Sequence, residues 1–253
     1  MDERISIGAR LSELAHERPE RPAVTDERRT VTWAELDRRT NRVARALESL
    51  GVKQGDLVTV GLHNSVEYFE AVYGIWKVGA TPQPISWRLP AHEAEAVMAL
   101  AETPILIAGE TIESGRPRYE IDALLALSSD DSPVEDRIPP IFKAPTSGGS
   151  TGRPKLILAG QPGVVLRGPA GATGGYRLTS EDVMVMPGPL YHNGPFTCSI
   201  TGLNLGAHLI ILPRFDAEKT LAAVQQHRAT WLYVVPTMMS RIWRLPEAVR
   251  EGY

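Results

Sequence analysis

The stretch PTSGGSTGRPK, Pro145–Lys155, decides how the rest of the chain is read. It stands between two short apolar runs, near Ile141–Ala144 and Leu156–Ala159, each expected to be a strand. Gly148, Gly149 and Gly152 carry no Cβ, so backbone N–H groups can crowd toward one point. Ser147, Ser150 and Thr151 add hydroxyl donors, Lys155 adds a cation, and Pro154 stiffens the exit. Many short donors converging with one ammonium suit a polyphosphate. Two well-known phosphate turns are excluded. No glycine immediately precedes Lys155 and Leu156 follows it, so this is not a Walker loop; the G-x-G-x-x-G spacing of a dinucleotide turn is also absent. A plain Gly/Ser linker would need neither the lysine nor the proline.

Helices and strands alternate on both sides of this turn. Thr32 and Glu35 form a capping box ahead of a helix with Leu36, Val43, Leu47 and Leu50 on one face, and Gly51 closes it. Leu57–Leu62 is a buried strand by its apolar run. Asn64 or Ser65 is expected to cap a second helix carrying Tyr68, Phe69, Val72, Ile75 and Trp76, ended by Gly79. Ala80–Ile85 is extended and marked as an edge by Pro82 and Pro84. Pro90 opens a third helix, and Ile105–Ala108 gives another strand. Beyond the glycine-rich turn, strands are expected at Val183–Met186, His208–Leu212 and Trp231–Val235, with a helix from Asp216 to about Arg228.

Strands separated by helices of this length imply parallel crossovers. The expected fold class is therefore α/β: layered, largely parallel sheets flanked by helices. Residues 128–140, with four acids and three prolines, read as a linker. They divide the chain into a first α/β lobe, residues 1–127, and a second, residues 141–253, that begins with the glycine-rich turn and looks truncated at its end.

Composition narrows the function. Of 253 residues, 43% are apolar and 23% charged, as in ordinary globular protein. Lys and Arg number 27 against 30 Asp and Glu, a net charge of −3, so no basic field points to nucleic acid. The single cysteine, Cys198, forms no internal disulfide and is expected to pack inside a helix. The charged N-terminus has no signal-peptide core, and no run approaches the ~20 apolar residues of a membrane span. A cytoplasmic location is expected. His16, His92, His208 and His227 show no metal-ligand spacing, so no metal site is expected, and His63 is read as structural. Tyr73, Trp76, Trp231 and Tyr233 are expected to be core aromatics.

Ser147-Gly-Gly-Ser-Thr-Gly-Arg-Pro-Lys155 resembles the phosphate-binding signature of the adenylate-forming enzymes: acyl-CoA synthetases, aryl-AMP ligases, nonribosomal-peptide adenylation domains and luciferases. Every signature position matches. The usual following glycine is replaced by Leu156-Ile157, as in some aryl-AMP ligases. Weaker similarities run in family order: GVKQGD at Gly51–Asp56, Asn64-Ser65, GIWKVGATPQP at Gly74–Pro84, and Trp87-Arg88-Leu89. Pro189-Leu190-Tyr191-His192-Asn193-Gly194, Gly206–Phe215 and Val235-Pro236-Thr237 follow.

The resemblance implies an ATP-dependent acyl-CoA synthetase, in which a carboxylate attacks ATP to give acyl-AMP and pyrophosphate, and the acyl group then passes to CoA. It implies that Ser147, Gly148, Gly149, Ser150, Thr151, Gly152 and Lys155 bind the nucleotide phosphates, that Mg²⁺ bridges them, and that His192 lies near the acyl site. The alternatives are an acyl- or aryl-AMP ligase loading a carrier protein, and a non-catalytic nucleotide-binding module. Three later features of the family are not found here: an aromatic-Gly-x-Thr-Glu segment, a Tyr-x-Thr-Gly-Asp segment, and a C-terminal catalytic lysine. The expected partner is therefore the missing C-terminal half of the same protein, with self-association a consequence of uncovered strand edges. No catalytic residue is assigned within the chain, which alone is expected to be inactive.

Overall fold

The computed structural model describes residues 4–110, 112–147, 154–166 and 176–253. Two sheets with parallel crossovers organise them. In the first, β4 (Leu57–Gly61) is paired in parallel with β5 (Thr81–Pro84) on one side and β6 (Leu106–Ala108) on the other, and β7 (Arg118–Tyr119) extends the sheet beyond β6. In the second, β11 (Val183–Met186) and β12 (His208–Ile211) pair in parallel, β13 (Trp231–Leu232) flanks β11, and β2 (Pro22–Thr25) flanks β12. The antiparallel β3 (Thr30–Thr32) completes this sheet beyond β2. The expected α/β class and parallel pairing stand. The sheet, however, crosses the expected division at residues 128–140: β2 and β3 come from the first part of the chain and their neighbours from the second.

Local chemistry explains the helix boundaries. Thr32 accepts from the Glu35 N–H at 3.2 Å to start α2 (Trp33–Ser49), and Gly51 follows its end at φ +86°. Ser6 caps α1 (Ile7–Glu17) in the same way through Ala9. The second helix, α3 (Val66–Lys77), departs from expectation at its start. Neither Asn64 nor Ser65 caps it by a side chain; the Val66 N–H donates instead to Asp26 Oδ2 at 3.0 Å. Asn64 is committed elsewhere, as described below.

Helix α3 is apolar or paired on every side, the pattern of a core helix. Trp76, Tyr73, Tyr68 and Phe69 are all within 1% of complete burial. At Gly74 the backbones of α2 and α3 approach so closely that a Cβ would overlap Val43. Two charges are buried with it. Glu70 accepts from Arg39 at 2.6 and 3.1 Å and from Arg29 at 2.7 Å. Lys77 donates to Asp37 at 2.6 Å and to the Asn41 side chain at 2.5 Å. A buried charge is tolerable only when paired in this manner.

Residues 128–140 contain no helix or strand, yet they are tied to α2. Asn41 donates to the Asp131 carbonyl at 3.0 Å, Arg42 to that of Ser128 at 2.8 Å, and Gln54, beyond the helix end, to that of Ile138 at 3.0 Å. Val134 packs on the main core. The low apolar content thus makes a strap whose backbone is satisfied by long polar side chains.

Residues 141–144, expected to be a strand, form no ladder. They run beside the outer strand β5 through mixed bonds: Ala144 N–H to the Pro82 carbonyl at 3.0 Å, and the Thr81 hydroxyl to the Ile141 carbonyl at 2.9 Å. Pro82 removes a donor from β5, which leaves that edge unable to sustain a regular pairing. The edge is covered nevertheless, and all of β5 is buried.

Candidate functional site

Two structural pieces carry the residues singled out from the sequence. The first is a two-stranded hairpin, β8 (Thr146–Ser147) with β9 (Lys155–Leu156), antiparallel, with Ser147 opposite Lys155 and Thr146 opposite Leu156. Ser147 and Lys155 therefore stand side by side at the mouth of the turn. Gly148, Gly149, Ser150, Thr151 and Gly152 lie outside the described residues. Strand β9 stops after two residues instead of running on to Ala159, and Ile157 and Leu158 are 52% and 51% exposed.

The base of the hairpin is held firmly. Trp76 Nε1 donates to the Phe142 carbonyl at 2.9 Å, and the Ile157 N–H to that of Pro145 at 2.8 Å. Polar groups are left over here. Among the described residues, the buried Thr146 hydroxyl and the exposed Lys155 ammonium have no hydrogen-bond partner. A spare ammonium on the residue paired with Ser147 suits phosphate oxygens. For a divalent metal the fit is different: among the described residues no three His, Cys, Asp or Glu side chains are grouped to hold one.

The second piece is the start of α6 (Asn193–Leu205), where His192 is the N-cap residue. Its ring is exposed, makes no capping bond and leans on Tyr191 at 4.5 Å. The turn before it is locked by Asn64, which donates to the Gly188 and Leu212 carbonyls at 2.8 and 3.0 Å and accepts from the Leu190 N–H at 2.9 Å. Tyr68 adds a bond to the Leu190 carbonyl at 3.1 Å. The segment carrying His192 is thus positioned by the beginning of α3. An Asn-Ser pair ahead of a helical pattern signals a cap and gives no hint of this longer reach.

Lys143 joins the two pieces and was not singled out from the sequence. It lies three residues before β8, and its ammonium donates to the Thr197 hydroxyl and to the Asn193 carbonyl at 3.4 Å, both on α6. The Phe196 and Phe142 rings flank it at 4.9 and 5.3 Å. Burial pushes Lys143 down to about 8, with Cys198 acting in the opposite sense. Cys198 is buried in α6 as expected; burial raises its thiol, while a hydrogen bond from Tyr176 and the Lys143 charge partly offset that. Tyr233 and Trp231, expected in the core, are half-buried at its margin, with the Tyr233 hydroxyl against Gly194, where a Cβ would collide with it.

His63 stacks on Trp87 at 3.8 Å, and the Arg88 guanidinium covers the same indole at 4.4 Å. Burial, then the Arg88 charge, lower the His63 imidazole below its ordinary value. No described helix is long and apolar enough to cross a membrane.

The AMP-binding enzyme family model matches residues 11–252, and the chain belongs to that family. It is 28% identical over 247 residues to the fatty acid–[acyl-carrier-protein] ligase ScoC of Streptomyces coeruleorubidus, covering 89% of this chain and 47% of the relative. It is 26% identical over 254 residues to the indoleacetate–CoA ligase of Aromatoleum aromaticum, covering 90% and 49%. Among solved structures, O-succinylbenzoate coenzyme A synthetase (MenE) of Bacillus subtilis, in complex with AMP, superposes with a TM-score of 0.80. That match has 21% identity and covers 98% of this chain and 67% of the other. The chain spans about half the length of the curated relatives it matches.

Proposed function

We propose that this chain is the part of an AMP-forming acid–thiol ligase that grips the nucleotide phosphates and begins the acyl site. The observation that carries the reading is the Ser147–Lys155 hairpin mouth, with its spare cation beside the signature turn. In the proposed reaction, a substrate carboxylate oxygen bonds to the α-phosphorus of ATP, the bond to the β-phosphate oxygen breaks, and pyrophosphate leaves. A thiol then attacks the acyl carbon and AMP departs.

Such phosphoryl chemistry depends on positioning and charge neutralisation. Ser147, Ser150 and Thr151 would donate hydroxyls to the departing phosphates, the N–H groups of Gly148, Gly149 and Gly152 would line the turn, and Lys155 would supply positive charge. Mg²⁺ would enter with the nucleotide and neutralise phosphate oxygens. His192, exposed at the start of α6, would border the acyl group on its way to the thiol.

We assign CoA as the thiol; a carrier protein is the second reading, since one of the two relatives above is named for that acceptor. The 253-residue chain is proposed to be inactive by itself in the cytoplasm. Its open β13 edge and the uncovered face of α8 (Pro236–Trp243), with Met239 58% and Trp243 74% exposed, would be covered by the remainder of a longer protein.

The test is pyrophosphate exchange and hydroxamate trapping with ATP, Mg²⁺ and a panel of carboxylates. A protein of the relatives' full length carrying this chain should turn over at least one acid, and the isolated chain none. CoA and a phosphopantetheinylated carrier are then offered separately. Exchange without any carboxylate dependence would overturn the adenylation reading.

A further inference from the structure

We propose that Lys143 is a specificity-determining residue: its ammonium receives a second oxygen acceptor carried by a compact carboxylic acid substrate. The inference rests on the acyl site beginning at His192, as proposed above, and names the class of acid that site takes.

The starting point is a charge with too few partners. Lys143 is 6% exposed, and its ammonium has three N–H donors. One goes to the Thr197 hydroxyl and a second, long at 3.4 Å, to the Asn193 carbonyl. The third finds no acceptor among the described residues, and no carboxylate there pairs with the charge. The ionisable group that acts on it is the Cys198 thiol, which burial raises above its ordinary value and so keeps neutral near pH 7.

Two other charged residues among those described, Lys77 and Glu70, are as deeply buried. Lys77 has Asp37, and Glu70 has Arg29 and Arg39. Those are closed pairs that the fold completes by itself. Lys143 is flanked instead by the Phe142 and Phe196 rings, which attract a cation without neutralising it. A methionine would fill the same volume between two rings without the desolvation cost.

Position supplies the rest. Both hydrogen-bond partners belong to the first turns of α6, directly after His192. Lys143 also lies four residues before Ser147, so even fully extended chain separates them by at most about 13 Å. An acid with its carboxylate beside Ser147 and its far end at Lys143 is therefore short, of about the size of one substituted ring. Its far end carries a ketone or carboxylate oxygen, because the site offers a donor and positive charge.

The test compares three matched acids in the full-length protein that carries this chain: benzoate, 4-acetylbenzoate and terephthalate. AMP binding is measured first by calorimetry, and each acid is then titrated with AMP present. The wild type should bind one of the two para-substituted acids at least about ten-fold tighter than benzoate, as expected for a hydrogen bond to a charged donor. The neutral ketone and the dicarboxylate distinguish an acceptor from an anion. Lys143→Met should erase the preference while its melting temperature stays level or rises.

Benzoate bound as tightly as the substituted acids, no binding of any of the three, or a preference that survives Lys143→Met would each overturn the proposal. If Lys143→Met does not fold, Lys143→Gln carries the same comparison. Failure to bind AMP would count against the adenylation reading; the acids are still titrated alone, and the same outcomes decide the role of Lys143.

Discussion

Asn64 and Leu190, 126 positions apart, meet in a buried hydrogen bond in which the Leu190 N–H donates to Asn64 Oδ1 at 2.9 Å. The same amide spends its two N–H groups on the Gly188 and Leu212 carbonyls. One side chain thus ties the start of α3 to the ends of two strands and fixes the turn that presents His192. Asn64→Ala would strand three buried backbone groups and is expected to cost about 2–4 kcal/mol. Urea denaturation measures it, and a loss below about 1 kcal/mol would show that water replaces the amide.

Glu70 is fully buried between Arg29 and Arg39. Glu70→Ala leaves two guanidinium groups facing an empty site and should destabilise the protein by roughly 3–5 kcal/mol. Glu70→Gln keeps the shape and should cost less. Equal losses in the two variants would mean that packing, and not charge, dominates here.

The exposed Lys155 ammonium makes no hydrogen bond or ion pair among the described residues. Lys155→Ala is expected to leave the melting temperature within about 1 °C, as for surface changes generally. On the adenylation proposed above, a protein of the relatives' full length that carries this chain should lose at least about ten-fold in pyrophosphate exchange. Unchanged exchange would remove Lys155 from the phosphate site.

His208 is bonded to the Thr25 hydroxyl at 2.7 Å, and burial, then the nearby His227, push its imidazole down to about 4. The unfolded chain protonates it near 6.5, so between about pH 6.5 and 4 the unfolded state holds the extra proton. Its contribution to stability is complete above pH 6.5 and falls as pH drops through that window, by at most about 3 kcal/mol. His208→Gln should flatten this part of the stability–pH curve. A curve of unchanged slope would show that other groups set it.

Much of the scaffold was legible because its signals are local. The Thr32–Glu35 cap, Gly51 and the β4 run depend on neighbours within a few residues, and all were read correctly. What could not be read depends on distant partners. Asn64 resembles a cap until Leu190 and Leu212 are brought to it, and residues 141–144 look like a strand until the proline-interrupted edge of β5 denies them a ladder. The signature turn could be recognised from composition, but Lys143 could not. A lysine in an apolar run carries no mark of burial, and apart from the adjacent Phe142 its partners, Phe196, Thr197 and Asn193, lie on a helix far along the chain.

The pairing of β2 with β12 has a consequence for how the chain comes to be folded. Val24 finds its neighbour in Leu209, so a strand made near the beginning waits for one made far later. Throughout that interval on the ribosome, the β2–β3 ribbon has one unpaired side. Closing such a distant contact makes folding slow and leaves an exposed strand that other chains can capture. Expression of this protein should accordingly gain more from slower synthesis and a holdase chaperone than from any substitution in its core.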